Sequence, residues 1–159
     1  MTEKISNSKA ETFIGMFQFQ GGIFHNALEN LEQEDALKRP SENSNHINWL
    51  LGHIVHCRYM LANMLGVKAE NPFGKTFWTA IENKDYPTIK EVVSQFPEIS
   101  NKLLDKISSI GNEAFDAKPS PDQPSTADLV SFFIYHEAYH IGQIGYARKL
   151  IGLEAMKSH

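Results

Sequence analysis

Cysteine is nearly absent from this sequence: Cys57 is the only one in 159 residues. A single thiol forbids an intrachain disulfide and excludes the disulfide-stapled design of small secreted domains, so a reducing cytoplasm is the expected setting. Long apolar runs are missing too, and each falls far short of the roughly 20 residues of a membrane span. Met1 to Lys9 is polar and lacks the apolar stretch of a signal peptide, so no membrane partner is expected. No long Lys/Arg run occurs. With a formal net charge of −4 and a pI near 6.0, the chain has no general attraction for phosphate backbones, and nucleic acid is not an expected partner.

What is present is ordinary for a globular protein: 42% hydrophobic and 21% charged residues, a balance that neither disorder nor a fibrous repeat would give. The length suits one core, so a single domain over residues 1–159 is expected.

Four segments show helical periodicity between recognisable start and stop signals, and no convincing strand lies between them. The first spans about Lys9 to Asp35, with Phe13, Phe17, Phe24, Leu28 and Leu31 on one stripe and Gly21-Gly22 marking close packing or a bend. The second spans about Asn45 to Leu65, after the polar Ser41 to Ser44 stretch and before Gly66, with Leu50, His53, Ile54, Cys57, Leu61 and Met64 inward. The third begins at a Thr88-x-x-Glu91 capping box and ends before Gly111. Pro97 inside it removes a backbone donor and predicts a kink. The fourth begins at Ser125, which forms a capping-box pattern with Asp128, and reaches about Ile151 before Gly152. Leu129, Phe133, His136, His140, Ala147 and Ile151 share one of its faces. Four such helices predict an all-α four-helix bundle. The link from Gly66 to Pro87 is long enough to cross the bundle, which gives an up-down-down-up order. Its Phe73, Phe77, Trp78 and Tyr86 either cap the bundle end or wall a substrate pocket.

His136 and His140 lie four positions apart on one helix, so their rings project from the same face one turn apart and can reach one ion. They run in phase with Leu129 and Phe133, where an unpartnered imidazole would lose its hydration. His53 holds the corresponding inward position on the second helix and is the natural third ligand. Three neutral imidazoles would hold one transition-metal ion and leave a coordination position open. His25, His46, His56 and His159 read as surface or packing residues, and Cys57, one turn after His53, as a core thiol outside the ligand set.

His136-Glu137-Ala138-Tyr139-His140 also matches the HExxH pattern of zinc peptidases. Gln143 and Tyr146 occupy the Gly and His positions of the extended form, and little chain remains to supply a distant ligand. A di-iron site would need a second ExxH element, which the sequence lacks. Glu137 and Gln143 are the candidate catalytic residues. Glu137 sits about 100° around the helix from His136, which favours a solvated or helix-packing carboxylate over a general base. Gln143, one turn beyond His140, is best placed to orient a ligand, with Asn48 and Tyr139 as further candidates.

Asn48-Trp49-Leu50-Leu51-Gly52-His53, followed far downstream by His136-Glu137-Ala138-Tyr139-His140-Ile141-Gly142-Gln143-Ile144, resembles the DinB/YfiT-like superfamily over essentially the whole chain. The resemblance implies a four-helix bundle with a histidine on helix two and an HxxxH pair on helix four as metal ligands, falling here on His53, His136 and His140. It further implies a Zn or Ni ion, a homodimer, and a transferase or isomerase that uses a low-molecular-weight thiol such as bacillithiol or mycothiol with an electrophilic substrate. Hydrolysis by a metal-bound hydroxide is the alternative enzyme reading, and a non-catalytic metal-binding, stress-associated protein is the third.

Overall fold

The computed structural model of the chain describes residues 8–79 and 85–157, so His159 and the first seven residues of the polar N-terminus lie outside it. Among the described residues there are six helices and no strand: α1 Ser8–Asn26, α2 Gln33–Ala36, α3 Ile47–Met64, α4 Ile89–Ser108, α5 Asn112–Asp116 and α6 Thr126–Leu150. The four long helices are the four expected from periodicity. α3 packs on α4 and α6, α1 packs on the same two, and their inward faces merge into one contiguous core. None of the described helices is long and apolar enough to cross a membrane.

Local chemistry sets most helix ends. At α4 the Thr88 hydroxyl accepts from the Glu91 N–H at 3.3 Å while the Glu91 carboxylate accepts from the Thr88 N–H at 2.7 Å, so two donors that a helix start leaves free are satisfied reciprocally. Ser125 and Asp128 make the same pair of bonds at α6, at 3.1 and 3.0 Å. α3 ends in a Schellman arrangement, with Gly66 at φ 92° and the N–H groups of Gly66 and Val67 on the carbonyls of Asn63 and Ala62; glycine takes that left-handed position without a Cβ clash. α4 runs unbroken through Pro97.

Two boundaries differ from the sequence expectation. α1 stops at Asn26 rather than continuing to Asp35. Arg148 of α6 donates to the carbonyls of Ala27 at 2.8 Å and Glu29 at 2.9 Å, and Asn30 turns the chain at φ 55°. An end whose carbonyls are satisfied by a distant guanidinium need not extend. Leu28 and Leu31 still pack on the core from the turn, which keeps the stripe in phase. α3 starts at Ile47, not Asn45, because the buried His46 caps it, its Nδ1 accepting from the Trp49 N–H at 3.0 Å.

The link after α3 turns back onto that helix. Phe77 is fully buried against Gly52, where a Cβ would overlap its ring. Tyr86 stacks on Phe77 and meets the His46 ring edge to face. The aromatic link thus plugs the bundle at Phe77, while Trp78 stays half exposed.

The most polar core feature joins α3 to α6. Arg58, 2% exposed, donates to both oxygens of Glu137, 3% exposed, at 2.8 and 2.6 Å. The guanidinium also reaches the Ser100 hydroxyl at 2.7 Å and the Phe17 carbonyl at 3.2 Å, and lies 4.3 Å from the Phe96 ring centroid. Burial of two charges is tolerated here because each finds a partner of good geometry. Of the two expectations for Glu137, solvated or helix-packing, the structure shows the second, as a buried ion pair between α3 and α6.

Candidate metal centre

α3 carries His53 and α6 carries His136 and His140 into one cluster. Ring centroids are 5.2 Å apart for His53 and His136, 4.6 Å for His53 and His140, and 4.5 Å for His136 and His140. His53 and His140 are buried, whereas His136 is half-buried on the flank of α6.

Hydrogen bonds orient two of the rings. His53 Nδ1 lies 2.7 Å from the Phe77 carbonyl; a carbonyl only accepts, so the proton sits on Nδ1 and Nε2 keeps its lone pair. His140 Nδ1 meets Gln143 Oε1 at 2.7 Å in the same manner, and the Gln143 amide donates onward to the Tyr139 hydroxyl at 3.3 Å. His140 Nε2 then points at His136 Nε2, 3.2 Å away. His136 Nδ1 is buried with no hydrogen-bond partner. Such Nδ1–H bonds to oxygen acceptors are what hold imidazoles for ligation through Nε2. The free Nε2 atoms of His53 and His140 are therefore groups that could hold a cation, together with His136.

Electrostatics agree with neutral ligands. Burial pushes His53 down to about 4, opposed by its bond to Phe77 and reinforced by the neighbouring histidines. His136 and His140 are also lowered, in each case by burial first. Cys57 complicates the ligand set. Its Sγ lies 3.5 Å from His53 Nε2, and donor atoms of His53, Cys57 and His136 all fall within 4.8 Å of one another. Yet burial, aided by the Glu137 carboxylate, pushes the thiol up to about 12, so a thiolate there would form beside a fixed negative charge.

The other candidates are dispersed. Gln143 touches His140 and is a positioning residue by geometry. Glu137 is committed to Arg58. Asn48 donates to the Pro87 carbonyl at 2.9 Å and serves the link, while Tyr139 is half exposed beside His140. His56 bonds Asn71, and His25 is exposed against Phe24 and Phe96. Three contributors were not anticipated: Trp49, which stacks on His53 at 4.6 Å and 14°; the Phe77 carbonyl; and Arg58. Trp49 lies one turn before His53, a spacing that signals contact. Two cavities flank the cluster. One of about 320 Å³ lies between Gln143, Tyr146, Leu50 and the Ser41–Asn45 segment, and a groove of about 670 Å³ runs along His56, Met60, Met64 and Trp78.

An all-helical chain that brings histidines from two facing helices together defines a class, the helical proteins with a candidate metal centre inside the bundle. The DinB superfamily model matches residues 16–144, and the chain belongs to that superfamily. No curated protein and no solved structure matches the chain.

Proposed function

We propose that the chain is a metal-dependent enzyme in which His53, His136 and His140 hold one divalent transition metal, Zn or Ni, and a low-molecular-weight thiol is transferred to an electrophilic substrate. One observation carries the ligand set: the Nδ1 protons of His53 and His140 are committed to Phe77 and Gln143, leaving their Nε2 lone pairs for the cluster. When bound, the metal supplies Lewis acidity that makes a thiol or water at its open position acidic near neutral pH. The thiol itself is supported by membership of the superfamily, not by geometry.

The chain's own residues hold and shield that site. Gln143 fixes the His140 ring, and Trp49 covers one face of His53 and excludes water from it. Both oxygens of Glu137 are held by Arg58 in the core, which takes away the free carboxylate that an HExxH peptidase uses as general base. Cys57 is left outside the ligand set, since burial and the Glu137 carboxylate disfavour a thiolate there. The cavity beside Gln143 offers the amide and hydroxyl groups of the Ser41–Asn45 segment to a substrate.

The proposal includes a second copy of the chain as partner, a cytoplasmic setting, and the up-down-down-up helix order. For that order, Asn48 and Arg58 of α3 reach Pro87 and Ser100 in the same sequence direction, which supports parallel α3 and α4. Turnover of an electrophile panel with several thiols tests the reaction. Activity that needs metal, thiol and His140 together is expected. Thiol-independent hydrolysis would assign a hydrolase, and full metal occupancy without turnover would assign a metal-binding protein.

A further inference from the structure

Where the link after α3 folds back on that helix, it leaves a groove of about 670 Å³ along His56, Met60, Met64, Lys75 and Trp78. That volume lies in the range of sites that hold small organic ligands. Two asparagines fix its walls. Asn63 takes up the start of the link, its amide donating to the Tyr59 and Ala69 carbonyls at 2.8 and 2.7 Å while its oxygen accepts from the Ala69 N–H at 2.9 Å. Asn71 holds both the turn at Gly74, where φ is 52°, and the His56 ring. Its oxygen accepts from the Phe73 N–H at 3.0 Å, so its amide group donates to the Gly74 carbonyl at 3.2 Å and to His56 Nδ1 at 3.0 Å. The groove is thus preformed, which lowers the ordering cost that a ligand would meet.

Its lining joins apolar surface to a single positive charge. Met60 and Met64 lie one turn apart on α3, and Trp78 lines the same groove from the link. Met64 and Trp78 are 58% and 49% exposed, so this apolar surface is left open to a ligand. Unbranched thioethers and an indole face adapt to a flat or irregular apolar body. Lys75 is the only lysine, arginine or carboxylate among the lining residues, in a chain whose formal net charge is −4.

We propose that this groove binds a small organic acid, with its aromatic body among Met60, Met64 and Trp78 and its carboxylate on the Lys75 ammonium. Charge complementarity selects the sign: an anion meets an amine there, whereas a cation meets no carboxylate. One lysine is too few for a nucleic acid or an anionic membrane, which engage rows of cations. The groove adjoins the histidine cluster without sharing its ligands. The His56 ring lies parallel to that of His53 at 6.4 Å and is covered on the groove side by Trp78 at 5.5 Å, and none of His53, His136 and His140 lines the groove. Binding of the acid therefore does not depend on a metal.

Nitrogen–proton correlation spectra of the full chain, with and without Zn, test this. The chain has two tryptophans, so Trp49 and Trp78 each give one indole N–H signal, assigned with Trp78→Phe. Naphthylacetate should move the Trp78 signal saturably and leave Trp49 in place, equally in the loaded and metal-free chain. Its neutral amide should bind roughly 2- to 5-fold more weakly, as loss of one exposed ion pair implies, and naphthylmethylamine more weakly still. Lys75→Glu should reverse the order of acid and amine, and Met64→Ser should weaken the acid and its amide alike, both with wild-type helicity. If a variant loses helicity, the order of the three probes on the wild type decides. Movement of Trp49 without Trp78 would place the acid on the histidines. A Trp78 signal that follows chain concentration and not the acid would give the groove to a second copy. Equal response to acid and amine would remove the role of Lys75. Each of these, like the absence of any Trp78 response at millimolar acid, overturns the proposal.

Discussion

Glu137→Ala should damage the fold and leave the metal centre intact. The carboxylate accepts two bonds from Arg58, at 2.8 and 2.6 Å, in a core where neither residue is more than 3% exposed. Truncation leaves the guanidinium with the Ser100 hydroxyl, the Phe17 carbonyl and the Phe96 ring, none of which carries a counter-charge. Breaking one side of a buried pair costs about 3–5 kcal/mol. In a domain of this size each kcal/mol lowers Tm by roughly 2–4 °C, so a fall of about 6–20 °C is expected. Glu137→Gln keeps the shape and two polar atoms and should cost less, about 1–3 kcal/mol. Arg58→Met combined with Glu137→Leu removes both charges and should recover most of the loss. Urea unfolding of each apo variant, with elemental analysis of the folded protein, measures both effects. An alanine variant as stable as wild type but unable to hold metal would refute the structural role given to Glu137.

Gly52→Ala should destabilise by about 1–3 kcal/mol, since the new methyl overlaps the Phe77 ring and the core must shift; an unchanged urea midpoint would contradict that packing. His46, pushed down to about 4 chiefly by burial, binds a proton more readily when unfolded. Its contribution to stability is therefore complete above about pH 6.5 and is lost as pH falls towards 4. His46→Asn keeps an N-cap acceptor without the titration, so its stability should fall less steeply across that window in pH-dependent melting. Gln143→Leu frees the His140 ring and should weaken metal binding about 10- to 100-fold, read by competition with a chelator while helicity stays unchanged.

The parts of this structure visible in the sequence are those fixed by residues a few positions apart. Thr88 with Glu91 and Ser125 with Asp128 state the starts of α4 and α6 because each capping bond closes within one turn. The four-residue spacing of His136 and His140, and the phase of His53 with Leu50, place three rings on facing helices for the same reason. The end of α1 was hidden because its cap, Arg148, lies 121 residues from Ala27. Whether Glu137 is solvated or packed between helices is not visible in the sequence, because the charge that draws it inward, on Arg58, is 79 residues away. The acceptor that fixes the His53 tautomer is a backbone carbonyl at Phe77, in a link without periodicity, and a carbonyl leaves no mark in a residue pattern.

The choice between His140 and Cys57 as third ligand decides the nature of the site, since a thiolate would partly neutralise the metal that three imidazoles leave fully charged. Metal content per chain, measured by elemental analysis after loading with Zn or Ni and removing the excess, tests it directly in His140→Ala and Cys57→Ser. One ion per chain is expected in the wild type and in Cys57→Ser, with loss in His140→Ala. Retention in His140→Ala together with loss in Cys57→Ser would contradict the three-histidine centre.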